Sequence, residues 1–167
     1  FDNPVWRSGY FAVGHANAAL DHIENNGGVP YLEAGPTATN RLEGELRFVR
    51  AYAYYYIARV YAPAYPNDEP RLPFRVNQAS NFEEAKASDV ASVNDIYALI
   101  VDDLKQAKEL LPEQYDADIH PAAYADGRAN KFSAAALLAK VYFQMGEYDL
   151  AKAELDFVID QNGGAYD

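Results

Sequence analysis

The chain has 167 residues, half of them hydrophobic, with 25 acidic against 14 basic side chains and a net charge of −11. That length and apolar share fit one domain with a real core. The acidic balance argues against nucleic-acid binding, which needs concentrated Lys and Arg, and the lack of cysteine excludes disulfides, thiolate metal sites and cysteine nucleophiles.

The first segment, PVWRSGYFAVGHANAALDHIENNGG, predicts a helix. Trp6, Tyr10, Val13, Asn17, Leu20 and Ile23 or Glu24 recur at spacings of four and three, which is one helical face. Asn26, Gly27 and Gly28 read as its stop, because glycine supplies the left-handed conformation at a helix end. Asn17 lies on the apolar stripe and reads as a buried amide tying two helices together, with a ligand contact as the alternative. The polar stretch PYLEAGPTATN follows as a loop. Asn40 with Glu43 resembles a capping box opening the helix RLEGELRFVRAYAYYYIARVYAP, which runs to Pro63. Glu43 and Arg47 form a supporting i,i+4 pair. Tyr52, Tyr54, Tyr55, Tyr56 and Tyr61 point around most of this helix, which predicts cover on several sides. Half-buried packing suits tyrosine better here than stacking on a sugar.

Residues 62–92 read as a long loop insertion, rich in proline and without clear periodicity. Ser92 with Asp95 then forms a capping box for VNDIYALIVDDLKQAKELLP, whose buried face is Ile96, Ile100, Leu104, Ala107 and Leu111 and whose end is Pro112. A polar loop, EQYDADIHPAAYADGRA, leads to the helix KFSAAALLAKVYFQMG. Gly146 turns the chain into the last helix, EYDLAKAELDFVIDQNGG, with Tyr148, Ala151, Leu155, Val158 and Ile159 as its face. No segment alternates strictly as a strand does, no apolar run approaches the roughly 18 residues of a membrane span, and the helices read as antiparallel neighbours. No initiating Met or signal sequence stands before Phe1, and the closing NGGAYD has no terminating element. The chain is therefore expected to be a fragment of a larger protein.

YIARVY at 56–61 and LLAKVY at 137–142 share one pattern, and a repeated pattern predicts a repeated structural unit. Ala139 and Ala151 are small where two helices would cross closely, while Leu138, Tyr142 and Leu155 fill the space beside them and Gly146 makes the turn. Ala58 and Tyr61 hold the same two positions in the earlier copy, whose second helix supplies Leu104, Ala107 and Pro112. Ile100 stands where a small residue is expected. The predicted fold class is all-α, with tetratricopeptide-like helix hairpins forming an α-α superhelix and long loop insertions. It is one helical-repeat domain over 1–167, interrupted at about 62–92.

Candidate chemistry is sparse. His15, His22 and His120 are isolated from any catalytic motif, and the adjacent Asp102 and Asp103 diverge on a helix rather than forming an acid/base pair. Asp116, Asp118 and Asp126 begin like a calcium loop, but the turn glycine and final glutamate are missing, so no metal site is assigned. No cofactor is predicted. The insertion offers Tyr65, Arg71, Phe74, Arg75 and Asn77, and the later loop adds Tyr124 and Arg128: aromatic faces and forked donors suited to sugar hydroxyls or peptide backbone. The candidate ligand-binding residues are Tyr65, Arg71, Phe74, Arg75 and Tyr124. Their structural reading is that Phe74 and Tyr65 pin the loop to the bundle while the arginines pair with the abundant acids.

Four stretches in order, WRSGYFAVGHAN, ELRFVRAYAYYYIARVYAP, VNDIYALIVDDLKQAKELLP and GRANKFSAAALLAKVYFQMGEYDLAKAELDFVI, resemble the SusD/RagB family of outer-membrane nutrient-binding lipoproteins from Bacteroidetes, and together cover about two thirds of the chain. The stretch YAPAYPNDEPRLPF departs from the shorter path to Pro-Leu usual in that family. The resemblance implies a helical, tetratricopeptide-like, non-enzymatic protein. It implies capture of an oligosaccharide at the cell surface, with a TonB-dependent outer-membrane transporter (SusC-like) as partner. It also implies an outer-membrane location through a lipid anchor outside this segment. The competing reading is a tetratricopeptide-type scaffold that binds peptides.

Overall fold

Proline at the first helical position and an asparagine just before it start α1 (Pro4–Asn26): the Asn3 side chain accepts from the Val5 amide at 3.1 Å. Gly27, at φ 65°, closes it by donating its N–H to Ile23 O. The computed structural model describes residues 3–28, 36–86, 89–116, 118 and 120–161. Of the loop expected at 30–40, residues 30–35 lie outside the described residues, as does the closing NGGAYD, and residues 36–40 are helical. The face of α1 that is buried comprises Val13, Ala16, Asn17, Leu20 and Ile23, with Trp6 and Tyr10 half-buried against the core. This is the stripe that the spacing predicts.

Helix α2 (Pro36–Tyr61) begins before the expected cap, so Asn40 sits inside the helix instead of opening it. Pro36 suits a first helical turn, where its missing N–H has no intrahelical partner to lose. Beyond Tyr61 the insertion is not structureless. Strand β1 (Leu72–Phe74) pairs antiparallel with β2 (Asp89–Ala91) in the register Leu72 to Ala91, Pro73 to Val90 and Phe74 to Asp89, and the short helix α3 (Phe82–Lys86) lies between them. Three-residue strands are too short for alternation to show in a sequence. Leu72 and Ala91 point inward and join the main core, so the ribbon is fastened to the bundle from beneath.

Helix α4 (Val93–Leu110) opens with the expected capping box: Ser92 Oγ accepts from the Asp95 amide, and the Asp95 carboxylate accepts from the Ser92 amide. The hydrogen bonds from Ser92 hold the Asp95 carboxyl below its ordinary range. Ile96, Ile100, Leu104, Ala107 and Leu111 are all buried, as predicted. After the short α5 (Ala123–Gly127), α6 (Lys131–Met145) starts where Asn130 accepts from the Ser133 amide and ends at Gly146, φ 84°. Helix α7 (Tyr148–Gln161) returns along it.

Helix α2 lies between α1 and α4, and α6 between α4 and α7, giving two stacked helix hairpins with α1 in front. The repeated positions behave as paired-helix contacts should. Ala58, Ala139, Ala151 and Tyr142 are buried, and Tyr61 packs half-buried against the core. Ile100 is fully buried although a small residue was expected there, and it shares its cluster with Ala51, Ala53 and Ala58.

The expected face of α7 is only partly covered. Ala151 is buried and Val158 half-buried, whereas Tyr148, Leu155 and Ile159 are largely exposed. Leu155 therefore does not fill the gap beside Ala151. The inward side runs through Ala151, Glu154 and Phe157, with Lys108 of α4 bonded to Glu154 at 2.7 Å and lying 4.1 Å from the Phe157 ring centre. Tyr148 meets Phe143 of α6 edge-on at 5.5 Å, while Leu155 and Ile159 face outward.

Candidate functional site

As the chain leaves β1, residues 73–78 form a strap across α1 and α2, and side chains of the two helices hold its backbone. The Tyr10 hydroxyl donates to Pro73 O at 2.9 Å. The Tyr54 hydroxyl accepts from the Arg75 amide at 2.9 Å and donates to Arg75 O at 2.8 Å. Asn17 Nδ2 donates to Arg75 O at 3.0 Å, Arg50 Nη1 donates to Val76 O at 3.0 Å, and the Gln78 amide bonds the Asp21 carboxylate. Burial raises the Tyr54 hydroxyl above its ordinary pKa, outweighing the lowering effect of Arg75 and Arg50; burial also raises Tyr10. Both stay phenols that can donate and accept, as this lashing requires.

A cleft opens on each side of the strap. One, of about 290 Å³, is lined by Trp6, Tyr10, Tyr54 and Phe74, with Val13 at its base and Arg75 at its rim. Its rings brace one another: Trp6 and Tyr10 lie 4.7 Å apart, Trp6 and Tyr61 5.0 Å, and Tyr54 and Phe74 5.7 Å. The other, of about 390 Å³, has a polar wall of Asp21, Glu24, Glu43, Arg47 and Asn77 over Leu20, Ile23 and Val76. Aromatic faces beside carboxylates and forked guanidinium donors make a surface on which a polyhydroxylated ring can stack and hydrogen-bond.

Of the expected ligand residues, the structure brings Phe74 and Arg75 together in the aromatic cleft. Phe74 rests on Tyr54, and Arg75 pairs with Glu84 of α3 at 3.5 Å. Tyr65 is half-buried with its ring 5.0 Å from Tyr97 of α4, and Arg71 is exposed and pairs with Glu69. Those contacts pin the insertion to the bundle and pair its arginines with acids. Tyr124 belongs to another cluster. There Arg128 lies 3.9 Å from its ring centre, His120 stacks at 5.6 Å and Tyr115 meets it edge-on, while Glu45 gathers Arg41, Tyr115 and Arg128.

His15 and His22 are exposed on α1, one against Phe11 and the other bonded to Asn26. The Asp116 carboxylate accepts from the Asp118 amide at 2.9 Å, and the side chain of Asp126 lies outside the described residues. Asp102 is exposed, whereas Asp103 is wholly buried, so the two do diverge. Asp103 accepts from Arg50 and Arg47 of α2, and Arg50 in turn holds Asn17. Asn17 is thus the buried tie between helices that its position on the stripe implies. No local pattern pairs Arg50 with Asp103, although Asp103 falls three residues after Ile100 and four before Ala107, on the buried face of its helix. Trp6 and Tyr10 carry no sequence signal that sets them apart from the packing stripe of α1.

The family model described as "Starch-binding associating with outer membrane" matches residues 2–143. A SusD-like protein P2 of Formosa agariphila is 30% identical over 155 residues, 93% of this chain and 26% of its own length. A SusD superfamily protein from Bacteroides thetaiotaomicron superimposes with a TM-score of 0.81 at 22% identity, over 97% of this chain and 33% of that one. A laminarin-binding SusD-like protein superimposes with a TM-score of 0.72 at 25% identity, over 92% of this chain and 29% of that one. The chain spans about a quarter of the length of the curated relatives it matches.

Proposed function

Since the chain belongs to this SusD-like, starch-binding family, we propose that it is part of a non-enzymatic protein that captures oligosaccharides at the cell surface and works with a TonB-dependent outer-membrane transporter. The full-length protein is lipid-anchored in the outer membrane in this reading. The observation that carries it is the strap with an aromatic cleft on one side and a polar cleft on the other. Trp6, Tyr10 and Phe74 offer ring faces to a sugar, and Arg75, tied to Glu84, borders the same cleft. The polar wall of Asp21, Glu24 and Arg47 offers acceptors and donors to ring hydroxyls. The helical hairpins are the frame that holds these groups. The laminarin-binding neighbour supports a glycan as the ligand class.

The test is calorimetric titration of the full-length protein with laminarin and with maltooligosaccharides, together with co-purification of an outer-membrane transporter from detergent extracts. Saturable binding of either glycan supports the reading. Absence of all saccharide binding, with capture of a soluble peptide partner through the repeat helices, would replace it with the peptide-scaffold reading.

A further inference from the structure

The backbone of the strap is set from a distance. Asp103, on α4, borders neither cleft and is fully buried, yet both of its oxygens are bonded. Oδ2 accepts from Arg50 Nε at 2.7 Å, and Oδ1 accepts from Arg50 Nη2 at 2.8 Å and Arg47 Nη1 at 3.2 Å. With Nε and Nη2 committed to the carboxylate, the planar guanidinium can aim Nη1 in one direction only. That nitrogen bonds Asn17 Oδ1 at 2.9 Å and Val76 O at 3.0 Å. Accepting through its oxygen, Asn17 turns its amide nitrogen to Arg75 O at 3.0 Å and Asn77 O at 3.5 Å. A carboxylate on α4 thereby orients a guanidinium on α2 and a carboxamide on α1, and these fix three successive carbonyls of the strap.

We infer that Asp103 is a positioning residue: acting through Arg50 and Asn17, it presets the strap at Arg75–Asn77, and with it the presentation of Phe74 and Arg75 to ligand. The ligand part of this inference rests on the capture reading above; the presetting of the strap does not. A site ordered before ligand arrives loses less freedom on binding, so the network acts on affinity without touching the sugar. Packing alone would make Asp103 interchangeable with any buried side chain of similar volume. Positioning makes the strap respond specifically to loss of the charge pair.

The decisive measurement is amide hydrogen exchange of the ligand-free full-length protein at Arg75, whose N–H meets the Tyr54 hydroxyl, and at Gln78, whose N–H meets Asp21. Asp103→Asn presents donors to a guanidinium that needs acceptors. The double variant Arg50→Met, Asp103→Leu fills the space with apolar groups and guards against a variant that fails to fold. Leu104→Ala, beside the network but outside it, is the control for general destabilisation. Exchange at Arg75 and Gln78 is expected to rise by about tenfold or more in both network variants, with the mid-helix amides of Ile57 and Leu138 still protected, and not in the control. An unchanged strap in the folded double variant, or an equal rise in Leu104→Ala, overturns the inference. If wild type binds none of the glycans offered while the strap responds as expected, the positioning stands and the sugar reading falls.

Discussion

Arg50 and Asp103 meet as a two-point ion pair, Nε to Oδ2 at 2.7 Å and Nη2 to Oδ1 at 2.8 Å, within a bundle packed mainly from aliphatic and aromatic side chains. Asp103 is 0% and Arg50 6% exposed. Charges so deeply placed are tolerable only when their hydrogen-bonding capacity is used, and here it is: Arg47 adds a bond to the carboxylate, while Asn17 and Val76 O take the third guanidinium nitrogen.

Removing one partner should therefore cost far more than removing both. Asp103→Ala leaves two arginines without their shared acceptor, and a loss of about 3–5 kcal/mol in unfolding free energy is expected. Arg50→Met with Asp103→Leu should recover most of that loss, because no uncompensated charge remains. Urea unfolding of the three proteins gives the comparison directly. A single variant as stable as wild type would contradict the burial of the pair.

Two helical glycines should respond to alanine with opposite signs. A methyl at Gly44 would lie 2.9 Å from Leu111 Cγ and 3.1 Å from Leu110 Cβ, and Leu111 is itself buried and cannot retreat. Overpacking of this kind costs roughly 1–3 kcal/mol, which exceeds the gain of about 1 kcal/mol in helix propensity. Gly14→Ala meets nothing within 4 Å and keeps only the propensity gain. Denaturant midpoints should fall for Gly44→Ala and rise for Gly14→Ala.

Tyr97 should make the fold sensitive to alkali. Burial, then the neighbouring Tyr55 phenol, pushes its hydroxyl from 10.0 up to about 12, with Arg59 opposing. The folded value lies above the unfolded one, so the stabilisation is fully present below about pH 10 and is lost as pH rises toward 12. Unfolding midpoints of wild type should decline through that window, and Tyr97→Phe should flatten the decline. A phenolate absorbance titration in which every tyrosine ionises near its ordinary value would rule this out.

What the sequence showed and what it hid divide by range of interaction. The α1 stripe, the Ser92 and Asp95 box and the Gly146 turn depend on residues within a few positions of one another, so spacing and residue type were enough. The paired alanines of the hairpins were legible because the pattern occurs twice. The register of Leu72 with Ala91 and the pairing of Arg50 with Asp103 join residues far apart in the chain, and no local pattern reports them. The outer stripe of α7 looked like core because periodicity records an apolar face without saying what covers it. At the site, Phe74 and Arg75 stood out by residue type in a long insertion. Trp6 and Tyr10 were hidden because the stripe that packs α1 also walls the cleft, and nothing local tells that Tyr124 folds beside Tyr115 and Arg128 instead of beside Phe74.

The aromatic residues of α1 and the insertion should separate into ligand contacts and anchors. Phe74 and Trp6 present ring surface to the same cleft, and truncating a central aromatic contact costs on the order of 2 kcal/mol, about 30-fold in Kd. Phe74→Ala and Trp6→Ala are each expected to weaken laminarin binding by that order. Tyr65 instead spends its ring on Tyr97, where it fastens the start of the insertion to α4. Tyr65→Ala should lower the unfolding midpoint and leave affinity within about twofold, since the strap is held separately by Tyr10, Tyr54 and Asn17. Titration calorimetry and urea unfolding on the same preparations distinguish the two roles. The assignment fails if Tyr65→Ala abolishes binding in a protein that remains folded, or if Phe74→Ala and Trp6→Ala leave it untouched, because the sugar would then lie against α4 and not across the strap.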